Sequence, residues 1–166
     1  VTREYVRALE ARRIPHVLVG GRSFFLREEI GALLNAMVAI EWPDDELSVY
    51  ATLRGPFFAF SDDALLVARD AWHGLSPTKV PAVDDADENA PIARALAILR
   101  SLHRGRNSRP IADTVSALLE AVHAHASVAI WPTGEQALGN LLRVLDMARR
   151  FERSGALSFR SFVEQL

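Results

Sequence analysis

Leu26-Arg27-Glu28-Glu29-Ile30-Gly31-Ala32-Leu33-Leu34-Asn35-Ala36-Met37-Val38-Ala39-Ile40-Glu41-Trp42 decides the fold class. Ile30, Leu33, Leu34, Met37, Val38 and Trp42 recur at spacings of three and four, the period of an amphipathic helix. The pattern predicts a helix over 26–41. Trp42-Pro43 ends it, because a residue before proline is pushed out of the helical region. Glu28 and Glu29 stand in the first turn, where acids complement the positive end of the helix dipole.

Downstream the pattern repeats. Asp44 or Asp45 caps a helix over about 45–54, with Leu47, Tyr50 and Leu53 expected to face inward. Arg54-Gly55-Pro56 breaks it. Phe57, Phe58 and Phe60 make an aromatic loop, open to burial between helices or to stacking on bases. Ser61-Asp62-Asp63 starts a helix running to about Trp72. Residues 73–90 hold two Pro, one Gly and Asp84-Asp85-Ala86-Asp87-Glu88; they read as a mobile acidic surface loop. Pro91 and Pro110 open helices over about 91–103 and 110–125. Between them lies the basic turn His103-Arg104-Gly105-Arg106-Asn107-Ser108-Arg109. Thr133-Gly134-Glu135-Gln136 has the spacing of a capping box. It precedes the longest helix, about 134–154, with Leu138, Leu141, Leu142, Leu145, Met147, Ala148 and Phe151 apolar. Ser154-Gly155 stops it and Ser158 caps a last helix.

Upstream, residues 2–13 read as a short helix ended by Ile14-Pro15. His16-Val17-Leu18-Val19 reads as a strand closed by Gly20-Gly21. A lone strand needs a sheet, and the rest of the sequence offers almost none. The expected class is therefore mainly α, a multi-helix domain with one short N-terminal strand. The missing initiator Met suggests a piece of a longer chain.

Composition limits the chemistry. The chain has 166 residues, 49% hydrophobic and 24% charged, which suits one globular domain. It has no Cys, so disulfides and thiolate chemistry are excluded, and a cytoplasmic location is expected. No apolar run reaches the roughly 18–20 residues of a membrane span. The net charge of −2 hides a pattern: residues 1–27 carry +4, 28–99 carry −9 and 100–166 carry +3. Of the 19 basic residues all but Lys79 are Arg. Arg suits phosphate forks, and base composition explains the same bias. No G-x-x-x-x-G-K-[ST] loop, H-E-x-x-H or G-x-S-x-G occurs, so neither catalytic residues nor a metal site is expected. His123 and His125 lie two apart and point to different helix faces. Gly20-Gly21-Arg22 fits a plain turn or an anion nest. Arg104, Arg106 and Arg109 fit a solvated loop or a phosphate grip.

Three stretches resemble a known family. Arg13-Ile14-Pro15-His16-Val17-Leu18-Val19-Gly20-Gly21-Arg22-Ser23-Phe24-Phe25-Leu26-Arg27-Glu28-Glu29-Ile30 is similar to a run in superfamily 1 DNA helicases of the UvrD and AddA/RecB type. Pro43-Asp44-Asp45-Glu46-Leu47 with Leu53-Arg54-Gly55-Pro56-Phe57-Phe58-Ala59-Phe60-Ser61-Asp62-Asp63-Ala64-Leu65-Leu66 resembles the AddA/RecB branch. So does Asn140-Leu141-Leu142-Arg143-Val144-Leu145-Asp146-Met147-Ala148-Arg149-Arg150-Phe151-Glu152, followed by Gly155 and Ser158-Phe159-Arg160-Ser161-Phe162-Val163. All three occur in family order; residues 73–132 carry no such motif.

The resemblance implies a segment of an ATP-dependent helicase or helicase-nuclease. Residues 1–21 would close the first portion of motor subdomain 2A, and 22–166 would form a helical 2B-like subdomain. Gly20, Gly21, Phe24, Phe25, Glu29 and Ile30 would form the 2A–2B joint. Arg54, Arg104, Arg106 and Arg109 would contact the DNA backbone, on a duplex or fork and without regard to sequence. Where the UvrD branch has a Gly-Ile-Gly turn, this chain has Arg54-Gly55-Pro56-Phe57, without the second glycine. ATP and Mg²⁺ would belong to the parent chain and not to this segment. The implied partners are DNA, the rest of the motor and a nuclease or helicase partner subunit. In that last case the segment serves as a protein-interaction module.

Overall fold

The computed structural model describes residues 24–155 and 158–166, together with 8, 9, 11, 12 and 14. Within them are eight α-helices and no strand. The expected strand at 16–19, Gly20-Gly21 and most of the helix at 2–13 lie outside the described residues.

Helix α1 (Glu28–Glu41) is the centre. Ile30, Leu33, Ala36, Met37, Ala39 and Ile40 are all fully buried. Those positions cover more than one stripe, as a helix walled by several neighbours requires. The Trp42 amide donates to the Val38 carbonyl at 2.8 Å and closes the last turn.

Helix α2 (Glu46–Arg54) packs on α1. Asp45 is its cap: its carboxylate accepts from the Ser48 amide at 3.2 Å and from the Ser48 hydroxyl at 2.6 Å. Leu53 is buried as expected, but Leu47 is 77% exposed. Val49, Thr52 and Leu53 form the inner stripe, so Leu47, in the first turn, falls on the opposite side. Gly55 ends the helix where a Cβ would meet the Ala51 carbonyl oxygen at 3.0 Å. Phe57 is buried, while Phe58 and Phe60 are half-buried against the core.

Helix α3 (Asp62–Trp72) starts at Ser61, whose hydroxyl accepts from the Ala64 amide at 3.2 Å. It buries only Leu65 and Ala68, leaving Leu66 and Val67 about half exposed. The following segment is not wholly a surface loop. Leu75 and Pro77 are buried, and a short 3₁₀ turn, Pro77–Lys79, packs on the next helix. The exclusion of Leu75 from water explains this docking. The acidic half stays exposed, with Asp84 accepting from the Ala86 amide and Asp87 from the Asn89 amide.

Helix α4 (Ala90–Gly105) carries Pro91 in its first turn and buries Ile92, Leu96, Leu99 and Leu102 at helical spacing. The expected helix over 110–125 is two: α5 (Ile111–Ala121) and α6 (Ala124–Ala129). His123 separates them in the left-handed region, with φ 49°. No glycine stands there to announce the break.

Helix α7 (Gly134–Arg153) has 20 residues and packs on α1, α5 and α6. The capping box does not form. Thr133 sits at ψ 27°, not in the extended conformation a cap needs, and its side chain caps nothing. Gly134 instead lies against the end of α6, where a Cβ would stand 2.6 Å from the Val128 carbonyl oxygen. Leu141, Val144, Leu145 and Ala148 face the core, whereas Leu142 is 45% exposed. Helix α8 (Phe159–Gln165), capped by Ser158, returns Phe159 and Phe162 to the core and contacts α1.

Candidate nucleic-acid interface

The basic turn after α4 is held largely from within. Arg106 donates to the Glu41 carboxylate at 2.7 Å and to the His103 carbonyl at 2.6 Å. Its side chain is 20% exposed and that of Glu41 is 8%. His103 Nδ1 lies 2.7 Å from the Ile40 carbonyl oxygen. These groups converge on the C-terminal end of α1, where the negative end of the helix dipole favours cations. Arg109 donates to the Thr114 hydroxyl at 3.2 Å, and its guanidinium lies over Gly105, where a Cβ would meet it at 3.3 Å. Arg104 is exposed and forms no ion pair among the described residues.

Arg54 stands 2.7 Å from the Asp62 carboxylate, which also accepts from the Tyr50 hydroxyl at 2.8 Å. The Tyr50 hydroxyl bond, then Arg54, holds the Asp62 carboxyl below the usual carboxylate range. Asp62 in turn pushes the Tyr50 phenol and the Arg54 guanidinium up. All three are surface groups, so the cluster fixes the α2–α3 corner weakly.

The residues expected at the joint separate by depth. Gly20 and Gly21 lie outside the described residues. Phe24 and Ile30 are buried, and Phe25 is 41% exposed, edge-on to Phe24 at 5.1 Å. Arg143 from α7 lies over the Phe24 ring at 5.7 Å. Glu29 is buried as well, and its carboxylate accepts from the Asn140 amide of α7 at 2.6 Å. Gln136 donates to the other end of that amide at 3.1 Å. Sequence reasoning assigned Glu29 to the helix dipole and missed this bond. Its partner is 111 positions away, and no local pattern announces it.

Among the described residues no group of three or more His, Asp or Glu could hold a metal ion. His123 and His125 are exposed. A groove of about 630 Å³ between α2 and the α3 end is lined by Pro43, Trp72, His73, Leu75, Ser76 and Lys79, among others. Ser76 and Thr78 there bond each other at 2.9 Å. No helix among the described residues is long and apolar enough to cross a membrane.

Fold and surface together define a helical module with ion pairs at its corners and exposed arginines, Arg104, Arg143, Arg150 and Arg153 among them. No family model matches the chain. It is 26% identical over 175 residues to the AddA subunit of the ATP-dependent helicase/nuclease of Geobacillus kaustophilus, across 98% of this chain and 14% of that protein. The AddA proteins of Geobacillus thermodenitrificans and Acetivibrio thermocellus are each 25% identical, over the same two shares. The chain thus corresponds to one segment of an AddA-like protein, and spans 14% of the length of these curated relatives.

Proposed function

We propose that this chain is a 2B-type segment of an AddA-like, ATP-dependent helicase-nuclease acting in DNA repair or recombination. It contacts the DNA backbone on a duplex or fork and gates the motor, without chemistry of its own. The observation that carries the reading is the end-to-end likeness to AddA-type helicase/nuclease proteins. The resemblance of three stretches in family order supports the finer assignment. Residues 1–21 belong to the end of the first portion of 2A and 22–166 to 2B, with Phe24, Phe25, Glu29 and Ile30 at their joint. ATP and Mg²⁺ are bound by the parent chain, which works in the cytoplasm with the rest of the motor and a partner subunit.

Fluorescence anisotropy with single-stranded, duplex and forked DNA, titrated against salt, tests the reading. Duplex or fork binding that weakens linearly in log salt is expected. No binding at low salt overturns it.

A second reading is a docking module for a partner subunit. It is favoured by the exposed acidic turn at 84–88, braced by Asp84, Asp87 and the Arg94–Asp85 pair at 3.1 Å. Partner capture without DNA affinity distinguishes it.

A further inference from the structure

Three of the four arginines with a sequence case for phosphate contact have partners in the fold: Arg54 pairs with Asp62 at the surface, Arg106 with the buried Glu41, and Arg109 bonds Thr114. A different set of cations gathers on α7. Its exposed positions are 135, 139, 142, 143, 146, 149, 150 and 153. At 100° per residue they fall on one continuous face. Four of them are Arg, against Glu135 and Asp146. Asp146 is taken by Arg149 at 3.0 Å. Arg143, Arg150 and Arg153 have no carboxylate partner among the described residues.

Helix polarity accounts for two of these. Arg150 and Arg153 stand in the last turn, where cations offset the dipole. It does not explain Arg143, ten positions from the helix end and steadied over the Phe24 ring. The three guanidinium groups span about 15 Å of helix axis, enough to meet several phosphates of one strand, which rise about 3.4 Å each. Guanidinium contacts to phosphates fix position on the duplex and carry no sequence information.

We propose that the outer face of α7, through Arg143, Arg150 and Arg153, is where this segment takes duplex DNA phosphates, in place of the Arg104–Arg109 turn. The inference rests on the DNA-contacting role proposed above and adds its location. A guanidinium forks to two phosphate oxygens and keeps its charge at any working pH.

The test compares R143Q/R150Q/R153Q with R104Q in the full 166-residue chain, by anisotropy on duplex DNA from low to moderate salt. Helical circular dichroism is checked for each. R150Q/R153Q, which leaves the Phe24 contact intact, serves as a second variant. The triple variant is expected to bind about tenfold or more weakly and to lower the log–log salt slope by about 2.7; the double lowers it by about 1.8. R104Q, which lies off that face, should lower the slope by well under the roughly 0.9 that one lost phosphate contact gives. Unchanged binding and slope in the triple variant, with the wild type binding, overturn the location and leave the DNA role standing. A wild type that does not bind overturns both.

Discussion

Asn140→Ala tests the junction between α1 and α7. The Asn140 amide donates at 2.6 Å to a Glu29 carboxylate that is 5% exposed, and Asn140 itself is 5% exposed. A hydrogen bond to a charged group is worth about 1.5–3 kcal/mol. Leaving a buried charge without its partner raises the cost toward roughly 3–5 kcal/mol. Water reaching Glu29 in the space vacated by the amide offsets some of this, so about 3 kcal/mol is expected. For a chain of this size that lowers the Tm by roughly 10 °C. Urea unfolding followed by circular dichroism reads it. Glu29→Gln removes the charge and keeps a carbonyl acceptor, and should cost less than Asn140→Ala. The double variant should cost less than the sum of the singles, with a coupling of at least about 1 kcal/mol. Additive losses, or Asn140→Ala within about 0.5 kcal/mol of wild type, would refute the claim that this bond is a buried, charge-assisted tie.

Two glycines of α7 should respond with opposite sign. Gly134→Ala puts a Cβ 2.6 Å from the backbone oxygen of Val128 and should lower stability by about 1–3 kcal/mol, whereas Gly139→Ala, with nothing within 4 Å, should raise it by up to about 1 kcal/mol; thermal melts of both decide. Arg106→Ala strips the buried Glu41 of its partner and should cost about 3 kcal/mol, while Arg104→Ala stays within about 0.5 kcal/mol in urea titrations. Asp45 and Asp62 have folded-state pKa values below the ordinary carboxylate value of 3.8, through the Ser48 hydroxyl and the Tyr50 hydroxyl respectively. Their contributions are therefore complete above that pH and vanish as it falls through the lowered values; D45N and D62N should each flatten the acid limb of a stability–pH curve.

Much of the helical scaffold was legible because its signals are local. Apolar spacing marked α1 and α7, Asp45, Ser61 and Ser158 marked starts, and Pro91 and Pro110 marked entries. The failures have physical causes. His123 breaks a helix in a left-handed conformation that glycine normally announces. Thr133 has the capping-box spacing, but packing of Gly134 beneath α6 sets the backbone there. Leu47 was placed inward by hydrophobicity, though the stripe facing α1 runs through Val49 and Leu53. The polar contacts were least legible. Arg106 looked like a free cation in a basic turn, and its partner Glu41 lies 65 positions upstream. A charge in a loop gives no sign of which distant acid will claim it.

The central place of α1 sets an order of events during synthesis. It emerges early, yet the partners that cover it include α4, α7 and α8, the last of which begins at Phe159. Packed at first against α2 alone, α1 therefore keeps part of its apolar surface open until nearly the whole segment has left the ribosome. Contacts of such long sequence separation slow closure and lengthen the interval in which apolar surface can find a wrong partner. A nascent chain stalled after α6 should accordingly resist trypsin far less than one stalled after α8, although six of the eight helices among the described residues have by then been made.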